Sequence, residues 1–190
     1  MIQSPSDPLD AGIALARTLD AAGISYALGR ALAYGIWGIP RATLDVDVNV
    51  FLEDAELPKL SAALRTLGIA VDDSRLASES ANKGMSVVHF GPYRVDLFTP
   101  SIPFSREAER TRRQIQIEGH AITFLSAEAI AVFKLLFFRP KDVVDLERLI
   151  EVQRDALDVA YVRVELVKIM GEDDERVKRW DELVHASQSG

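Results

Sequence analysis

The run from Leu44 to Phe51 alternates acidic or amide side chains with valine, reading Asp45, Val46, Asp47, Val48, Asn49, Val50. Side chains of a β-strand alternate faces with period two. Asp45, Asp47 and Asn49 therefore share one face, and the three valines share the other. The valine face calls for a core. Two carboxylates on one face repel at close range. They belong either to a solvent-facing edge strand carrying acidic gatekeepers or to a site that gathers cations. A second strand-like run, Tyr93 to Phe98, carries Asp96 between Val95 and Leu97. Three carboxylates converging on one sheet edge form the donor set that two Mg²⁺ ions about 4 Å apart require. The expectation is phosphoryl or nucleotidyl chemistry, with Asp96 as third ligand or as base for an attacking hydroxyl.

A chain of 190 residues suffices for one well-buried domain, or a core with a helical appendage. Without a run of about eighteen apolar residues, no membrane span is expected. The N-terminus lacks the basic-then-apolar layout of a signal peptide. The absence of cysteine excludes disulfides and thiolate metal sites and fits a cytoplasmic protein. A net charge of −7 argues against general nucleic-acid binding, so an RNA acceptor would need a local patch. Arg106, Arg110, Arg112 and Arg113 supply a candidate, and a solvated helix face is the alternative reading of the same cluster.

Along the chain, Asp7 and Pro8 open a helix that Gly23 stops. Ile24 to Leu28 reads as a short strand ending at Gly29, and Arg30 to Trp37 as a short helix. Glu56 to Leu67 is amphipathic, and residues 72–83 are polar and punctuated, a loop or weak helix. Met85 to Phe90 and Tyr93 to Phe98 are joined by Gly91 and Pro92 as an antiparallel hairpin. Gln114 to Ile117 and Ala121 to Phe124 flank a second hairpin turn. After Ser126 the pattern is helical to the end. The expected fold class is α+β, a mixed sheet flanked by helices over residues 1–125, with residues 126–190 a helical segment packed on that core.

Gly29 ends a strand and precedes a helix, where backbone can approach a phosphate and the helix N-terminus presents free amides. Arg41 either binds a phosphate or pairs with a carboxylate. Lys134 interrupts an apolar helix, so it either snorkels to the surface or reaches an anion. Asp142 and Asp145 share a helix face and are placed to hold Lys134, Arg139 or Lys141. The three histidines have no ligand spacing, and no Walker or Rossmann glycine motif is present.

These residues, taken in order from Leu28-Gly29-Arg30 through Asp45-Val46-Asp47 and Val95-Asp96-Leu97 to Lys134, Arg139 and Asp142, resemble the nucleotidyltransferase superfamily of the DNA polymerase β type. Small prokaryotic AbiEii-type toxins are the nearest resemblance, over about residues 24–150. The resemblance implies a mixed sheet flanked by helices and transfer of a nucleoside monophosphate from a nucleoside triphosphate to a hydroxyl, with pyrophosphate released. The acceptor would be an RNA end, a protein or a small molecule. It implies two Mg²⁺ ions held by Asp45, Asp47 and Asp96. Gly29, Arg30, Arg41, Thr43, Lys134 and Arg139 would bind the nucleotide. One position departs from the family: its turn is usually Gly-Gly or Gly-Ser, and here it is Gly29-Arg30. The arginine either replaces a backbone contact with a charged fork or fills the pocket. In the second case the chain would be a silent module of the same fold that binds a protein partner, such as an antitoxin.

Overall fold

The computed structural model describes residues 4–40 and 42–188. Six strands form one mixed sheet. They are β1 (Tyr26–Leu28), β2 (Asp45–Val50), β3 (Met85–Phe90), β4 (Tyr93–Phe98), β5 (Arg113–Ile117) and β6 (His120–Phe124), arranged in the order β3-β4-β2-β1-β6-β5. β2 runs parallel to β4, and β1 parallel to β6. The other neighbours are antiparallel. Both hairpins follow from their turns. Gly91 takes φ +58° between Phe90 and Tyr93, and Glu118 and Gly119 both take positive φ between Ile117 and His120.

The helices are α1 (Pro8–Ala21), α2 (Arg30–Trp37), α3 (Leu57–Thr66), α4 (Asp73–Lys83), α5 (Phe104–Thr111), α6 (Ala127–Phe137), α7 (Pro140–Gln153), α8 (Val159–Met170) and α9 (Glu175–Gln188). Asp7 caps α1 by accepting from the Asp10 amide, and Pro8 occupies its first turn. The α1 face bearing Ala11, Leu15, Ala16 and Leu19 is fully buried against β1, β2 and β6.

Residues 72–83, read from sequence as a loop or weak helix, form the helix α4 with Asp72 as its N-cap. Its composition hides it, because Leu76 and Ser80 are its only buried residues. Its ends and its exposed face hold it instead. Asp72 accepts from the Arg75 amide at 3.0 Å, and Gly84 closes the helix at φ +64°. Glu79 is paired one turn away with Arg75 at 3.3 Å and with Lys83 at 3.4 Å.

The chain divides into two compact units. The first holds the described residues up to Leu32 with Ala42–Leu125, and so contains the whole sheet. The second holds the rest of α2 and the chain from Ser126 onward. Within it, α6 packs on α7 and α8, and α9 packs on α7 and α8. Trp180 is buried there and donates its indole N–H to the Val159 carbonyl at 3.1 Å. Among the described residues, no helix is long and apolar enough to cross a membrane.

Candidate active site

The parallel pairing of β2 with β4 sets Asp45 opposite Arg94, Asp47 opposite Asp96 and Asn49 opposite Phe98. All six share one face by the period of two. On the other face Val46, Val48 and Val50 are fully buried, as their alternation requires. The acidic face is not uniformly open. Asp45 is exposed, but Asp47 and Asp96 are only 3% and 5% accessible. The register brings two carboxylates side by side inside the protein.

Among the described residues, two guanidinium groups meet them. Arg94 Nε lies 2.6 Å from Asp96 Oδ1. Arg30 Nε lies 3.2 Å from Asp47 Oδ1, and another nitrogen of the same guanidinium lies 3.9 Å from Asp96 Oδ2. The Arg30 guanidinium also stacks on the Phe98 ring, 4.6 Å from its centre. Asp47 Oδ1 is nonetheless buried and accepts no hydrogen bond. Burial is the main reason the Asp47 pKa is raised to about 6. The Arg30 charge draws it down, while Asp96 and Asp45 push it up.

Gly29 opens this site in close contact with β2. A Cβ there would lie 2.7 Å from Asn49 Nδ2 and 3.7 Å from Asp47 Cβ. Its own N–H donates to the Asp47 carbonyl at 2.8 Å, tying the turn to β2. Arg30 begins α2 with φ +36°, an uncommon conformation for a long side chain. The first amides of α2 have no partner within the helix, as at any helix start.

The remaining expected site residues lie as follows. Thr43 Oγ1 accepts from the Asp45 amide at 3.2 Å and braces the entry to β2. Arg41 falls outside the described residues. In the second unit, Lys134 Nζ lies 2.5 Å from Asp145 Oδ2 and 3.5 Å from Asp142 Oδ1, with the Tyr34 ring 5.0 Å away. Arg139 reaches Asp142 through Nε at 2.6 Å and a second nitrogen at 3.1 Å. Burial pushes the Asp142 carboxyl up, but the hydrogen bonds from Arg139 and the Lys134 charge outweigh it and hold it below the usual carboxylate range. Asp142 and Asp145 thus act as the holders of Lys134 and Arg139. The arginine cluster is largely matched by carboxylates. Arg106 faces Glu53 at 3.8 Å, Arg110 meets Glu107 at 2.8 Å, and Arg112 lies 4.0 Å from Glu109. Arg113 opens β5 and is exposed.

Sequence reasoning did not assign Arg94 or Phe98 to the site. Their signal was present, since each lies two residues from Asp96 on its strand and must share its face.

The donor set suits a hard divalent cation. Carboxylate oxygens are the ligands such ions take, and Asp47 Oδ1 is a buried oxygen that accepts no hydrogen bond. Yet among the described residues no group of three or more His, Asp or Glu side chains is gathered into a ready-made cage. The chemistry fits, and arginine supplies the countercharge in this state.

The chain matches no protein-family model and no curated protein. Its fold does match solved structures. The antibiotic-resistance factor ANT(2″)-Ia in solution aligns with a TM-score of 0.58 over 94% of this chain and 95% of its own, at 13% identity. An antigenic nucleotidyltransferase-like protein from Paracoccidioides brasiliensis aligns with a TM-score of 0.53 at 18% identity, covering 93% and 94% of the two chains. ANT(2″)-Ia crystallised with adenylyl-2″-tobramycin gives 0.53 at 15% identity, again over 93% and 94%. The chain has a nucleotidyltransferase-like α+β fold: a mixed sheet flanked by helices, followed by a helical segment.

Proposed function

We propose that the protein transfers a nucleoside monophosphate from a nucleoside triphosphate to a hydroxyl acceptor and releases pyrophosphate. The observation that carries this reading is the buried pair Asp47 and Asp96, opposite each other on adjacent parallel strands in a nucleotidyltransferase-like fold. A stabilising role explains the pair poorly, because each buried charge raises the cost of the other. In the reaction the acceptor oxygen attacks the α-phosphorus and forms the new P–O bond. The bond from the α-phosphorus to the bridging oxygen breaks, and pyrophosphate leaves with the electron pair. Asp96 takes the acceptor proton. The Gly29 turn and the first amides of α2 receive the triphosphate, with the Arg30 guanidinium beside them as a charged fork. Asp47 and Asp96, with exposed Asp45, would hold Mg²⁺. When bound, the metal offsets the charge that grows on the phosphate oxygens.

The acceptor is a hydroxyl of RNA, protein or a small molecule. Of the neighbours, ANT(2″)-Ia is seen with an adenylylated small molecule, and the ion-paired arginine cluster adds little to the RNA case. The AbiEii-type resemblance extends the proposal to a toxin, whose expression would arrest growth. One observation favours the silent protein-binding module instead, namely the Arg30 guanidinium set against Asp47.

Transfer of label from α-labelled nucleoside triphosphates into total RNA and protein, with Mg²⁺, tests the proposal. Label is expected with wild type and not with Asp45→Asn/Asp47→Asn, and the labelled band names the acceptor class. A labelled RNA whose binding falls steeply with salt would identify the nucleic-acid acceptor. No label with any nucleotide, together with no Mg²⁺-nucleotide binding by calorimetry, would establish the silent module.

A further inference from the structure

We infer that Arg30 is a built-in counter-cation whose guanidinium stands in for a divalent ion at Asp47 and Asp96, so that metal enters only when this side chain withdraws. The inference rests on the proposed reading of these carboxylates as metal ligands.

Three observations converge on one side chain. The guanidinium spans both buried carboxylates, 3.2 Å from Asp47 Oδ1 and 3.9 Å from Asp96 Oδ2. Its contact with Asp47 is electrostatic and not a well-formed hydrogen bond, because Oδ1 accepts none. A purely structural pair would favour the planar two-point fork that arginine makes with carboxylates. Arg139 shows that geometry on Asp142 in this same protein. Arg30 is also held in place at a cost. Its backbone sits at φ +36°, a region that favours glycine. The Phe98 ring supports the guanidinium from one side at 4.6 Å. A strained residue persists only where its surroundings hold it, and such residues cluster at switches and binding sites.

The Arg30 side chain also reaches solvent. It is about a third exposed, whereas Asp47 and Asp96 are almost entirely covered. A divalent ion and a guanidinium cannot both sit against the same carboxylate oxygens without strong like-charge repulsion. An anion at the first turn of α2 would attract the same guanidinium away from Asp47. Arg94 is different, since it is hydrogen-bonded at 2.6 Å to the other oxygen of Asp96 and acts on Asp47 only through its charge, the smaller of the two arginine effects there. Among the described residues, Arg30 is the one that lies within 4 Å of both carboxylates.

Binding of Mn²⁺ alone, read by the loss of its free-ion electron paramagnetic resonance signal, tests the inference without any turnover. Wild type, Arg30→Gly, Arg30→Lys and Arg30→Gly/Asp47→Asn are compared. Glycine relieves the backbone strain, which protects the fold, and lysine keeps the charge. Arg30→Gly is expected to bind Mn²⁺ at least tenfold more tightly than wild type, with lysine close to wild type. Adding Asp47→Asn should abolish the gain. Equal or weaker binding by Arg30→Gly would overturn the inference, as would a gain that survives loss of the Asp47 carboxylate. The two readings fail separately. A wild type that never transfers a nucleotide, alongside an Arg30→Gly gain that depends on Asp47, would sink the function and leave the gate standing. Transfer by wild type with no Mn²⁺ gain would sink the gate alone.

Discussion

The stability of Asp47→Asn relative to wild type should rise with pH. The Asp47 pKa rises from 3.8 to about 6 on folding, chiefly through burial. At about 1.36 kcal/mol per pKa unit, the gap between these values is worth ~3 kcal/mol. The folded chain therefore holds this proton more tightly than the unfolded chain. The resulting stabilisation is full below the unfolded value of 3.8 and is lost as pH rises through about 6. Asparagine has no such proton, so the variant lacks this loss. Carboxylates remote from this site are common to both proteins and cancel in the difference. Between about pH 4 and about pH 8, the stability of the variant relative to wild type should increase by ~3 kcal/mol. For a chain of 190 residues that is a relative gain of roughly 6–12 °C in melting temperature. Urea titrations of both proteins in EDTA across that range provide the assay. Curves that stay parallel, or a relative stability of the variant that falls with pH, would refute the reasoning. Either would mean that Arg30 neutralises Asp47 fully and that burial does not dominate.

Three further outcomes follow from the packing. Gly29→Ala should cost less than about 1 kcal/mol, because the Asn49 Nδ2 that its Cβ would meet at 2.7 Å ends a side chain able to turn aside, and a urea midpoint far below wild type would contradict this. Lys134→Met should cost about 3–5 kcal/mol by removing the buried ammonium that lies 2.5 Å from Asp145 and 3.5 Å from Asp142, and replacing Asp145 with leucine as well should recover much of it in the same titration. Trp180→Ala should cost about 3–5 kcal/mol, since the indole is buried and bonded to Val159, and thermal melting followed at α-helical wavelengths reads the loss.

Much of this was legible because the relevant rules are local. Period two separated the valines from the acids in β2, and tight turns announced both hairpins. Helix α4 was not legible, since its stability lies in caps and ion pairs with Leu76 as its one large buried side chain. The acidic face was recognised, but its burial was not. Whether Asp47 meets water depends on β4 lying beside β2 and on Arg30 reaching across, and neither can be read from spacing. The same holds for Lys134. Sequence left it between surface and anion, and the fold pairs it with Asp145 and Asp142.

The most direct test of the central claim is the phosphorus product of the reaction. Phosphorus NMR of purified protein with Mg²⁺, a nucleoside triphosphate and the labelled acceptor fraction distinguishes the chemistries in one spectrum. Pyrophosphate should appear in step with the loss of triphosphate, and not at all with Asp45→Asn/Asp47→Asn. Orthophosphate as the sole product, or pyrophosphate formed equally by the variant, would contradict nucleotidyl transfer at these carboxylates.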